Sequence, residues 1–411
     1  MQLPILDLSN MPKREDWGTL RFYILKLVLL VSIVSVLIPL VYTLPKANIE
    51  NKKIGFVYQQ YNPDSPIFLY SSLGFPTYYN KHSLRSSRPF PAVVTKLFSS
   101  TLEAIAQKIA PKSRMANQKW GQYLVLEHFV HYFGWLLLNV ACLFGLLYFT
   151  SEIVLCFGYS KDIKLILFLI AFSSPVILTL TWLHSYHFGW LLNTLSIAVV
   201  MRMHGERPYR MLSLLMGVLL LGKFNVVVPA IVWLLFFKPS LLWKYMQMII
   251  LFVVPTILWR LYAAFYGIEI NTPELGDMLE RIFYAGSSYW GLFTVKFFYE
   301  NVIGFLFMTS PYFLYLMFRE FQIKLLRLNW MIYPLLGLSL LITFFFFAGR
   351  TGSLYLFETW CVMSVLFMAC VQVKVKENVK YSVKVLYLSH FIWQLGVIYF
   401  QLLLWRNGLW F

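Results

Sequence analysis

The sequence predicts an all-α polytopic membrane protein. About nine transmembrane helices and a re-entrant half-helix pair are expected, with a large first outer loop carrying an interfacial amphipathic helix. Three observations lead there. The chain of 411 residues is 59% hydrophobic and only 13% charged, whereas soluble domains have roughly a quarter of their residues charged. The apolar residues come in repeated runs of about 18–22, the length that crosses a hydrocarbon core of ~30 Å. The Lys and Arg residues collect in short connectors, as the positive-inside rule requires. That placement accounts for the net charge of +17, so no nucleic-acid partner follows from it. The whole of 1–411 reads as one integral membrane domain.

Residues 1–19 are polar, with Lys13 and Arg14 near the first apolar run, 20–44, which Pro45 ends. That run is too long for the apolar part of a cleaved signal and lacks a small-x-small site, so a retained anchor is expected, its N-terminus cytoplasmic. The long polar segment 45–119 follows as the outer loop. Within it, 91–110 places Val94, Phe98, Leu102, Ile105 and Ile109 at helical spacing, with Lys96, Glu103 and Lys108 between them. Such a helix lies in the membrane interface. Pro111 ends it.

Later spans are expected at 122–150, 164–183, 188–201, 242–265, 296–318, 330–347, 354–373 and 385–405. Between the fourth and fifth of the nine, an apolar stretch is interrupted by Lys223-Phe224-Asn225. As one helix it would bury a Lys at mid-membrane, at a cost of about 2.5–3.5 kcal/mol. As two half-helices, each reaches only ~18 Å. A hairpin that dips in and returns resolves both problems, with Lys223 and Asn225 at its tip. It also keeps Arg202, Arg207, Arg210, Lys238 and Lys244 on the cytoplasmic side and the acidic loop with Glu269, Glu274, Asp277 and Glu280 outside. No internal repeat is evident. Cys142, Cys156, Cys361 and Cys370 lie in or beside apolar runs without CxxC spacing, which suits small core residues rather than a disulfide or metal framework.

The candidate reactive groups cluster on the outer side. Asp64, held between Asn62-Pro63 and Pro66, is the best placed carboxylate for a general base, and Glu50 is the second. The plainer account of both is a turn or surface carboxylate. Arg85 and Arg88 precede the interfacial helix. Their planar guanidinium groups suit phosphate, and simple attraction to anionic lipid is the plainer account. His184 and His187 bracket the turn between the third and fourth spans, where a base, a phosphate partner or a metal ligand would fit, and interfacial histidines are the plainer account. Glu127 and His131 share a helix face. Arg260 closes its span, Glu300 pairs readily with Lys296, and Arg350 sits on a Gly-bracketed turn ahead of Glu358.

This layout resembles the GT-C superfamily, polytopic glycosyltransferases that use polyprenyl-phosphate sugars. The likeness rests on a first-loop carboxylate (Asp64 or Glu50), on Arg88-Pro89-Phe90-Pro91 opening the interfacial helix, on Lys223-Phe224-Asn225, and on the late Arg350. It implies a carboxylate base and basic residues, among them Arg85, Arg88, Lys223 and Arg350, around the donor phosphate. It also implies a lipid-linked sugar donor as partner, in keeping with the absence of any nucleotide-binding loop. Many members carry a second acidic residue between spans three and four, where this chain has His184-Ser185-Tyr186-His187. No metal site and no cofactor are therefore expected. The expected location is a bacterial cytoplasmic membrane. The alternatives are a lipid or glycan transporter and a non-catalytic scaffold.

Overall fold

The computed structural model describes residues 14–43, 71–72, 75, 88–109, 126–156, 163–182, 184–223, 226–270 and 382–406. Among these residues the chain is helical, with no strand. The helices are α1 (Arg14–Thr43), α2 (Phe90–Ile109), α3 (Leu126–Cys156), α4 (Ile163–Ala171), α5 (Ser174–Thr179), α6 (Tyr186–His204), α7 (Arg210–Leu220), α8 (Val227–Leu235), α9 (Leu242–Phe265) and α10 (Ser382–Arg406). Segments within α1, α3 and α9 are long and apolar enough to cross a membrane: Trp17–Ile38, Val130–Leu155 and Pro239–Phe265. The expected spans 296–318, 330–347 and 354–373 lie outside the described residues.

Two buried clusters hold the bundle together. One joins α6 to α3, α7 and α9 through Trp135, Phe188, Leu195, Met216 and Phe252. The other joins α1, α3, α4 and α5 to Trp190 of α6 through Ile24, Val31, Leu143, Leu147 and Leu167. Glycines set the close crossings. A Cβ on Gly145 would stand 3.1 Å from Leu191 Cδ1, and one on Gly217 would run into the backbone carbonyl of Phe252 and the ring of Pro255. Small residues let helix backbones approach, which favours association where hydrophobic solvation does not drive it.

The interrupted stretch is a hairpin with both feet at one end of α6. Tyr209, just before α7, donates its hydroxyl to Gln247 Oε1 at 3.0 Å. Phe236, just after α8, accepts at 2.6 Å from the hydroxyl of Tyr245, which lies 3.2 Å from His204 Nε2. Both feet thus meet the start of α9 at the C-terminal end of α6. The tip meets the other end, where a Cβ on Gly222 would stand 3.1 Å from the Phe188 ring. Lys223 Nζ lies 5.1 Å from the centre of the Tyr186 ring. Residues 211–222 and 226–237 therefore go up and come back. The start of α1 is at the foot end too, where Arg21 donates to the Tyr148 hydroxyl at 3.4 Å.

One expectation is corrected. The span expected at 164–183 is not one helix: α4 stops at Ala171 and α5 restarts at Ser174. Pro175 is the cause, since it lacks an N–H and its ring clashes with the carbonyl four residues back, yet it suits the first turn of a new helix. Side chains from neighbouring helices satisfy backbone groups at this break and just beyond the end of α5. Gln394 Oε1 accepts from the Ser174 N–H at 2.8 Å. Asn139 Nδ2 donates to the carbonyls of Leu180 and Trp182 at 3.0 and 2.8 Å, and Tyr132 donates to that of Thr181 at 3.2 Å. Irregular backbone is tolerated at membrane depth only when buried in protein in this way.

Helix α2 also docks differently from its apolar stripe. It turns Thr95 and Ser99 toward α3 and Ala92 toward Trp259 and Ala263 of α9, and leaves Leu97 and Phe98 exposed. The reason is steric: a Cβ on Gly134 would stand 3.1 Å from Thr95 Cγ2, so only small side chains fit the crossing.

Candidate functional site

The end of the bundle opposite the hairpin's feet brings together four of the residues expected to act. Arg88 comes from the segment leading into α2, Lys223 from the hairpin tip, and His184 and His187 from the head of α6. Local structure positions each. The Phe90 N–H donates to the Leu221 carbonyl at 3.3 Å, so Arg88 and Lys223 each lie two residues from one backbone contact. Phe90 packs edge-on against Phe188, ring centres 5.7 Å apart. The Lys223 N–H bonds back to the Leu219 carbonyl at 3.0 Å, closing the last turn of α7 under it.

All four side chains are buried, with Lys223 and His187 only 1% exposed. His184 stacks on Tyr186 with ring centres 3.9 Å apart, and the Lys223 ammonium lies 5.1 Å from the centre of the same tyrosine ring. The aromatic face attracts the cation through its quadrupole. His187 Nε2 lies 3.2 Å from Thr179 Oγ1, and its ring meets Trp190 edge-on at 4.6 Å. The ensemble is a dry, cationic and aromatic end, suited to an anion such as a phosphate ester.

A second buried junction lies beside it. His131 of α3, fully buried, reaches two serines: Ser99 Oγ of α2 at 2.9 Å from Nε2, and Ser72 Oγ at 3.1 Å from Nδ1. Ser99 spends its own proton on the Lys96 carbonyl at 3.1 Å. It therefore accepts from Nε2–H, which leaves Nδ1 to accept from Ser72. Phe75 in turn packs on Trp259 and Tyr262 of α9, at 6.3 and 6.5 Å. The outer segment is tied to the bundle at both points.

Asp64, Glu50, Arg85, Asn225 and Arg350 lie outside the described residues. Arg260 is exposed on α9, and Cys142 is buried and free. No group of three or more His, Cys, Asp or Glu that could hold a metal occurs among the described residues. Sequence reasoning missed Tyr186, Trp190, Asn139 and Gln394. The signal for Asn139 was available: a lone amide inside an apolar helix is expensive unless it has work to do. Tyr186 was hidden by its flanking histidines, because aromatic residues are common throughout this chain.

No protein-family model, curated protein or solved structure matches this chain.

Proposed function

We propose that this chain is a multi-pass membrane glycosyltransferase. It moves a sugar from a polyprenyl-phosphate-linked donor to a lipid or glycan acceptor on the outer membrane face. The observation that carries this reading is the convergence of Arg88, His184 and Lys223, buried and drawn from three separate segments, at one end of the bundle. Arginine and lysine bind phosphate oxygens through charge-assisted hydrogen bonds.

The membrane setting has its own support. Phe22, Leu25 and Leu29 of α1 and Trp243, Ile250 and Leu261 of α9 are all more than half exposed. Faces of that composition meet hydrocarbon rather than water. Arg202, Arg207, Arg210, Lys238 and Lys244 gather at the foot end, where α1 also starts, which argues for a cytoplasmic N-terminus.

In the reaction, the acceptor hydroxyl oxygen bonds to the anomeric carbon as the bond from that carbon to the phosphate oxygen breaks, with inversion. The hydroxyl proton passes to Asp64, with Glu50 as the alternative base. The phosphate leaves with its charge held by Lys223 and Arg88, with Arg85, Arg350, Asn225, His184 and His187 as further donor contacts.

The test is mass spectrometry of surface glycans and lipid-linked sugars from a deletion strain. The strain is complemented by wild type, Asp64→Asn or Lys223→Met, each checked for expression. Loss of one sugar with build-up of its lipid donor, restored by wild type alone, is expected. Full restoration by Asp64→Asn would overturn the catalytic assignment.

A second reading, a lipid or glycan transporter, gains from the break between α4 and α5, since discontinuous helices line many transport sites. There Lys223→Met stops function while Asp64→Asn spares it.

A further inference from the structure

The cationic end continues into a set of uncharged polar atoms. Asn139 Oδ1, Ser185 Oγ and His187 Nδ1 are buried and make no hydrogen bond among the described residues. None of these three side chains is more than 1% exposed. Buried polar atoms in native proteins are nearly always paired, so such a group calls for a bound partner.

The three atoms flank one turn. Thr179, which ends α5, lies 3.2 Å from His187 Nε2. The next carbonyls along, Leu180 and Trp182, are held by the amide of Asn139. Ser185 is the residue before α6 and gives its helix no side-chain cap. Two indoles are nearby: Trp190 meets the His187 ring edge-on at 4.6 Å and Trp182 lies 6.3 Å from Tyr186. Tyr186 is the same ring that carries Lys223. The ammonium and the neutral amide, hydroxyl and imidazole atoms are thus linked through one set of aromatic neighbours, Tyr186 and Trp190.

That chemistry selects a ligand. A carboxamide oxygen, a hydroxyl and an imidazole nitrogen accept from hydroxyl groups, and the hydroxyl also donates. Indole faces suit the C–H face of a saturated ring. No Asp or Glu is among these groups, so a cation is not what they select.

We infer that this is the subsite for the donor's sugar ring. Asn139, Ser185 and His187 take its hydroxyls, and its phosphate lies toward Lys223. The inference rests on the donor reading above and adds where the sugar goes.

The test measures binding to the full chain in detergent micelles. The probes are a synthetic polyprenyl phosphate, bare or carrying one of a panel of hexose and pentose headgroups. Wild type is expected to bind at least one sugar-bearing lipid more tightly than the bare one. Ser185→Ala should lose about threefold to tenfold of that preference, the worth of one neutral hydrogen bond, and leave bare-lipid binding unchanged. Because Ser185 Oγ bonds nothing among the described residues, this variant removes no fold contact. Asn139→Leu should erase the preference, with its melting temperature reporting on the turn. If wild type binds bare and sugar-bearing lipids equally, or if Ser185→Ala keeps the full preference, the subsite is wrong and the phosphate reading stands. If Lys223→Met leaves both kinds of lipid bound as in wild type, the donor reading falls as well.

Discussion

Arg202 of α6 grips Glu152 of α3 with two parallel hydrogen bonds, Nε to Oε1 at 2.8 Å and Nη2 to Oε2 at 2.7 Å. The same guanidinium lies over the Phe149 ring at 5.8 Å and donates to the Pro208 carbonyl at 3.4 Å. The pair pins two helices at the foot end, opposite the candidate site. It also carries α6 into the turn from which the hairpin rises. A bidentate fork fixes orientation as well as distance.

Removing one partner should therefore cost more than removing both. Glu152 is 7% exposed and Arg202 22%, so Glu152→Ala is expected to destabilise at the low end of the range for a broken buried pair, about 3 kcal/mol. The double variant Glu152→Leu with Arg202→Met should recover most of that loss. Thermal melting of the purified chain decides it. An equal loss in both variants would show that the pair itself, not the orphaned charge, sets the effect.

Gly217 should tolerate nothing larger. Its Cβ would meet the backbone of α9 at Phe252 and the Pro255 ring, and neither can swing aside. Gly217→Ala is expected to cost about 1–3 kcal/mol by overpacking. Gly396→Ala, with nothing within 4 Å of the added carbon, should be neutral or mildly stabilising. Paired melting curves test the contrast.

His131→Ala should remove the ring's hydrogen bonds to Ser99 and Ser72 from a buried junction, at a cost of about 1–3 kcal/mol. His131→Gln, which keeps a donor and an acceptor, should recover part of it. Because the junction ties α2 and Ser72 to α3, the proposed activity should fall with His131→Ala and return in part with His131→Gln. If the two variants behave alike in melting and in activity, the hydrogen bonds do not matter.

His204, at the end of α6, is held below the ordinary imidazole pKa. Burial is the first cause and the nearby Lys238 the second, with Lys244 adding to them and the Phe236 carbonyl opposing. Lys244 also lies 3.6 Å from Glu206, and Tyr245 faces the ring directly. The folded chain favours the neutral ring, so the unfolded chain takes up the proton first as pH falls through about 6.5. Stability should therefore be full above that pH and decline below it. His204→Gln should flatten this part of the melting profile between about pH 7 and pH 5. An unchanged slope would assign the loss elsewhere.

The sequence by itself determined where helices form and where charge may sit. Run length and composition follow from transfer out of water, a property of each stretch alone. That is why α1, α3, α9 and α10 overlap the spans expected at 20–44, 122–150, 242–265 and 385–405. The hairpin was legible for the same reason, because a Lys amid apolar residues has a cost that only a break can relieve. The break at Ala171–Ser174 was hidden. The Ser174 N–H exposed there is answered by Gln394, which is distant in sequence, and only packing brings it to the gap. The docking face of α2 was decided at Gly134, where space rather than hydrophobicity chose small residues. Tertiary structure brought Arg88 beside the hairpin tip, because that meeting depends on the Phe90–Leu221 contact across more than a hundred residues of chain.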